Sequence, residues 1–287
     1  MNKAFDLHRL GMVLRWDILT NWKGYFNRTV GLAIGILIYC LLILHKLGRS
    51  IAIGGLPEGL STMGYFQDQI SGIIMFIAVL LFFVTASNIF GNMKTKQQRE
   101  SYLMLPANKL EKYMARFFMM TIGGIIMFII AVLLADLVQF IFSFFLCPGY
   151  HASITWATLV ELFDGSIGGI TKALTWQTEL ELSILVWSFI IFLHSLCIFG
   201  GAFFRKYPIL LTACSGILLF IIVGYIGEGL DDLGLFETID FSQGTLAHYA
   251  ATTLCITFFL ALAGTLYWAS YKLFTRMQVI CNKWINI

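Results

Sequence analysis

The run ISGIIMFIAVLLFFVTASNIFG at residues 70–91 carries no charged side chain, whereas the 25 residues that follow it, NMKTKQQRESYLMLPANKLEKYMAR at 92–116, carry eight. About 20 mainly apolar residues suffice for a helix to cross the hydrocarbon of a bilayer. The first stretch therefore reads as a membrane span and the second as a connection that stays in water. Working outward, further apolar runs lie at 29–45, 117–146, 183–204, 207–227 and 247–271. The sequence predicts an all-α, polytopic integral membrane protein with six transmembrane helices.

The basic residues give the orientation. With the N-terminus inside, the inner segments hold sixteen: Lys3, Arg9, Arg15, Lys23 and Arg28; Lys94, Lys96, Arg99, Lys109, Lys112 and Arg116; Arg205 and Lys206; Lys272, Arg276 and Lys283. The other side holds only Lys46, Arg49 and Lys172. The positive-inside bias thus places both termini in the cytoplasm, and the basic inner face suits the cytoplasmic membrane of a bacterium. Most acids, among them Glu58, Asp164, Glu228 and Asp231, fall outside in this arrangement.

Composition agrees: 59% of residues are hydrophobic, 12% are charged and the mean hydropathy is +0.82. With six spans drawn from 287 residues, no loop is long enough for a soluble catalytic domain, which usually takes about 50 residues or more. The net charge of +3 is the sum of a basic face and an acidic face and carries no signal for nucleic acid. Four of the six cysteines, Cys40, Cys197, Cys214 and Cys255, fall in spans, and no pair has C-x-x-C spacing. No cleavable signal peptide is expected, because a polar and amphipathic stretch precedes the first span.

That stretch is the first of two domains, 1–28, ahead of a transmembrane domain at 29–287. Leu7, Leu10, Gly11, Leu14, Ile18, Trp22 and Tyr25 share one face at a period of 3.6, opposite Arg9, Thr20 and Lys23, which predicts an amphipathic interfacial helix. Gly31 and Gly35, four residues apart in the first span, allow close approach of a helix from this chain or another.

In the connection at 92–116, a short helix over about 95–104 should stop before Pro106, which disfavours helical geometry at the preceding residue. Asn108 then caps the next helix and Glu111, three residues on, reaches back to it. Tyr102, Leu103 and Leu105 stand beside Arg99 and Glu100 on the short helix. That mixture of apolar and charged side chains predicts a docking site for a separate cytoplasmic protein; the alternative is a solvated or membrane-hugging loop.

These features together, and the string RESYLMLPANKLEKYMAR at 99–116 in particular, resemble the membrane (permease) subunits of ATP-binding-cassette transporters of the type-2 exporter family. In that family the loop after the second span holds a coupling helix, often with an Arg-Glu pair, a Leu-Pro step, a Glu and a basic residue leading into span three. Arg99, Glu100, Leu105, Pro106, Glu111 and Arg116 occupy those places, with the pair and the Leu-Pro step closer together than in many members. The resemblance implies that Arg99, Glu100, Tyr102, Leu103, Leu105, Pro106 and Glu111 couple to an ATPase. It also implies that the chain forms half of a twelve-helix path with a second copy or a sibling permease. The phosphate loop G-x-x-x-x-G-K-[ST] does not occur here, so ATP and Mg belong to partner ATPase subunits and no cofactor is expected in this chain. A non-transporting sensor or assembly scaffold on a permease-like fold is the alternative.

Catalysis inside the membrane is disfavoured. Ala213-Cys214-Ser215-Gly216 resembles the serine motif of rhomboid-like proteases, but the one conceivable base, His248, begins span six at the far side, about 20 Å away in depth. Gly227-Glu228-Gly229-Leu230-Asp231 places its acid one residue late for an aspartyl intramembrane protease. No H-E-x-x-H occurs, so no metal site is expected. Among polar residues in spans, Thr85, Asn88 and His194 are candidates for a transport path, with a histidine hydrogen-bonded between packed helices as the plainer reading of His194. Asp136 reads as an acid at the outer end of span three. Leu230, Leu233 and Phe236, with Leu235, would suit a shallow outer gate between spans five and six, against the alternative of a solvated acidic loop.

Overall fold

A computed structural model describes residues 5–52, 62–93, 95–146, 153, 155, 176–204, 206–232 and 246–277. Within them run α1 (Leu7–Ala52), α2 (Thr62–Ser87), α3 (Lys96–Leu103), α4 (Lys109–Leu146), α5 (Trp176–Phe203), α6 (Pro208–Asp232) and α7 (Leu246–Arg276), with a 3-10 turn at Gly91–Met93 before α3. Among the described residues there is no strand. All these helices except α3 are long and apolar enough to cross a membrane, so the six expected spans are present and the chain is all-helical. Helix is the conformation hydrocarbon demands, since each backbone N–H and C=O must find its partner within the segment.

The amphipathic stretch and the first apolar run belong to one helix. No break separates them, and 46 residues at about 1.5 Å each make α1 roughly twice as long as the hydrocarbon is thick. Along its first half Leu7, Ile18, Leu19, Trp22 and Phe26 are exposed, whereas Leu10, Val13 and Asp17 are buried. The buried carboxylate of Asp17 is satisfied along the helix: Asn21 Nδ2 and Tyr25 Oη donate to it at 3.0 and 2.8 Å.

Two compact units divide the chain. One comprises Arg15–Phe82 and Thr121–Leu174. Its core interleaves Ile36, Cys40, Leu44 and Leu47 of α1 with Ile70 and Ile74 of α2 and Val132 and Ala135 of α4. Between lipid-facing helices the hydrophobic effect supplies no net drive, so close packing of such side chains holds this unit together.

The other unit comprises Met1–Leu14, Phe83–Met120 and Thr175–Ile287. Here α5 packs on both α6 and α7. Two adjacent glycines make the approach possible: a Cβ on Gly200 would run into the side chain of Thr212 on α6, and one on Gly201 into the backbone carbonyl of Ser87 at the end of α2. Phe189 and Phe192 of α5 meet Phe259 of α7, with ring centroids 5.3 and 5.6 Å apart. The turn between α5 and α6 ends at Tyr207, whose φ of 52° is left-handed, and Pro208 opens α6 where its missing N–H costs nothing.

Candidate functional site

The connection between α2 and α4 is built as the sequence predicts, and more firmly. Thr95 caps α3 through a reciprocal box with Gln98: the Gln98 amide donates to Thr95 Oγ1 at 3.2 Å and the Thr95 amide to Gln98 Oε1 at 3.3 Å. The helix stops at Leu103, with Met104 as its C-cap, two residues before Pro106. Six residues after Leu103 the next helix, α4, starts at Lys109. Glu111 reaches back to the Asn108 amide at 2.8 Å as expected, while the Asn108 side chain accepts from Lys109, one residue on.

Four charged side chains in the first two turns of α4 each reach a different helix end. Lys109 Nζ donates to the carbonyl of Thr275 in the last turn of α7 at 2.8 Å. Lys112 Nζ donates to the carbonyl of Leu103, the last residue of α3, at 2.7 Å. Arg116 Nε donates to the carbonyl of Ile89, two residues past α2, at 2.8 Å. Glu111 takes the opposite kind of end: Oε1 accepts from the Asp6 amide at 3.0 Å, just before α1, and lies 3.2 Å from a guanidinium nitrogen of Arg9. The signs match the helix dipole, cations at C-terminal carbonyls and an anion at N-terminal amides. Glu111 is 0% exposed and Arg116 1%, so their contacts are shielded from water and dilute salt screens them little, whereas the Lys109 bond is exposed.

A second tie makes α3 and the start of α4 one piece. The buried hydroxyl of Tyr102 donates to the carbonyl of Lys112 at 2.6 Å, opposite the Lys112 bond to Leu103. Beside this junction Phe90 stacks on Phe274 at 5.2 Å and Tyr113 meets Tyr271 edge-on at 5.5 Å, filling the space between the ends of α2, α4 and α7.

The residues assigned to coupling therefore divide. Arg99, Tyr102 and Glu111 point inward and are buried; Glu100, Leu103 and Leu105 are half-buried; Pro106 is exposed. The outward surface consists of Thr95, Lys96, Gln97, Gln98, Ser101 and Met104, the last 78% exposed. Met104 was not singled out by the sequence, although a flexible thioether beside a proline-terminated helix is the kind of side chain docking surfaces use.

The polar residues within spans are held by their neighbours. His194 on α5 is 3% exposed, its Nδ1 2.8 Å from the hydroxyl of Tyr267 on α7, with Phe117 of α4 edge-on to it, which matches a histidine packed between helices. Asn88 Nδ2 donates to the carbonyl of Val84 one turn back; Thr85, half-buried, lies on the same helix. Asp136 is buried, and its Oδ2 accepts from Ser153 Oγ at 2.6 Å and from the Thr155 amide at 3.1 Å. Ser215 spends its hydroxyl on the Thr212 carbonyl, and His248 stands 3.9 Å from Glu181. Among the described residues no three His, Cys, Asp or Glu side chains gather where they could hold a metal, and the described cysteines are free thiols. Of the outer-gate residues, Leu230 falls in the last turns of α6, while Leu233 and Phe236 lie outside the described residues.

No family model, curated protein or solved structure matches this chain.

Proposed function

We propose that this chain is the membrane subunit of an ATP-driven exporter of the ATP-binding-cassette class, in which α3 is the helix on which a separate ATPase acts. Both termini and α3 then face the cytoplasm of a bacterial inner membrane, and the start of the unbroken α1 extends beyond the hydrocarbon on that side. ATP and Mg belong to the partner, and a second copy or sibling completes a path of twelve helices. Gly31 and Gly35, which have open space where a Cβ would stand, leave α1 free to receive such a copy.

The observation that carries the reading is the junction at the start of α4. A docking helix is useful only if its displacement reaches the spans. Here Tyr102 and Lys112 bind α3 to α4 from both sides, and Lys109, Glu111 and Arg116 continue the connection to α7, α1 and α2. A push on α3 would therefore act on four membrane helices together, the mechanical requirement for switching a path between inward-open and outward-open. The companion would meet the surface of Lys96, Gln97, Ser101 and Met104, and the buried coupling residues would transmit the push.

The test is to purify the chain with the cytoplasmic subunit that accompanies it and assay ATP hydrolysis. Lys96→Glu with Met104→Glu should lower recovery of an ATP-hydrolysing companion at least about tenfold, the effect of losing about 1.4 kcal/mol of binding. A companion without ATPase activity would favour the scaffold reading.

A further inference from the structure

A hollow of about 470 Å³ lies within the unit formed by Arg15–Phe82 and Thr121–Leu174. Ile74, Ala78 and Phe82 of α2 form one wall, each four residues from the next, and Gly124, Phe128 and Val132 of α4 form the other with the same spacing. Ala78 and Gly124 are the smallest residues in these walls and leave space between their longer neighbours. Its volume falls within the range of ligand pockets, roughly 300–1,000 Å³.

Four observations bear on the occupant. The hollow lies inside two helices that read as spans, so the medium it borders is hydrocarbon. Its rim on α4 is Ile125, Ile129 and Leu133, one turn apart and 47–51% exposed, so it opens sideways into the bilayer. It is long, because the eight steps of α2 from Ile74 to Phe82 rise about 12 Å. One polar residue, Thr155, lies at its border, and its amide donates to the buried carboxylate of Asp136.

We propose that this groove binds one acyl chain of a membrane lipid, laid along α2 and α4 and entering from the side, with the lipid's polar part toward Thr155. Space between helices facing hydrocarbon costs contacts on both walls if left empty, and a flexible methylene chain restores them without displacing water. The carboxylate of Asp136 behind Thr155 disfavours an anionic group at that end, so a zwitterionic or neutral lipid fits better than an acidic one. The inference stands apart from the exporter reading, since a scaffold could hold a lipid equally well.

The test uses the full-length protein in phosphatidylcholine vesicles doped with a phosphatidylcholine that carries a diazirine midway along one chain. After irradiation, labelled positions are mapped by mass spectrometry. Labelling at Met75, Ala78 and Phe128 should exceed that at Leu218 and Ile221, ordinary exposed positions on α6, by about fivefold, which corresponds to roughly 1 kcal/mol of preference for the groove. Ala78→Phe and Gly124→Leu, which fill the hollow from opposite walls, should each bring groove labelling down to the α6 level. Labelling that merely follows exposure in the wild type overturns the proposal without any variant. So does a groove that stays unlabelled while cross-linking there joins two copies of the chain, because the occupant would then be a second subunit.

Discussion

Glu111 and Arg116 are the side chains on which the junction most depends. Replacing Glu111 with Ala leaves two partly buried backbone amides without their acceptor and takes from Arg9 one of its two carboxylates, Asp6 remaining; two orphaned donors together cost about 3 kcal/mol. Glu111→Gln, which keeps an acceptor oxygen, should cost less, and chemical unfolding in detergent would order the two. Tyr102→Phe keeps the ring in its buried place and removes the bond to Lys112, so about 1 kcal/mol is expected. If Tyr102→Phe instead leaves stability unchanged, the tie between α3 and α4 is not holding. The partnership of Asn108 with Glu111 was legible in the sequence because both ends of it lie within one turn. The inward aim of Arg99 and Tyr102 was not: an eight-residue helix of mixed side chains has no dominant apolar face, and the carbonyl that Tyr102 meets belongs to α4. Nor could spacing reveal that Lys109 reaches a carbonyl 166 residues away.

The six long helices were readable because an apolar run of span length has few alternatives in a membrane, and α3 because Pro106 ends it. The unbroken course of α1 was not, since Gly24 weakens a helix there and nothing nearby in the sequence opposes a break. Glycine spacing likewise left open which helix approaches. A Cβ on Gly31 or Gly35 would meet nothing within 4 Å among the described residues, whereas the adjacent pair Gly200 and Gly201 brings α5 against α6 and the end of α2. Gly201→Ala would place a Cβ against backbone that cannot rotate away, and the expected loss is about 2 kcal/mol despite the better helix propensity of alanine. Gly35→Ala should leave stability of the single chain intact, and lower it only where a second copy is bound. Thermal unfolding of the two variants side by side distinguishes the roles. At α3, Thr95→Ala removes half of the capping box and should weaken that helix by about 1 kcal/mol, read as faster amide exchange over 96–103.

At the scale of the molecule, the account requires α3 and both termini on one side of the membrane and Arg49 on the other. In a chain with its native cysteines replaced, a membrane-impermeant maleimide should label Arg49→Cys on intact cells, and Gln97→Cys only after permeabilisation. The basic asymmetry in the sequence is the ground for that orientation, and the junction at the start of α4 is the ground for treating α3 as a handle. The most direct test of the handle is a photoreactive amino acid at Gln97, on the outward surface of α3, activated in living cells. The account predicts a single dominant adduct with a cytoplasmic protein that binds and hydrolyses ATP. An adduct formed only with lipid or with this chain itself, or reaction of the same position with a reagent confined to the cell exterior, would contradict it.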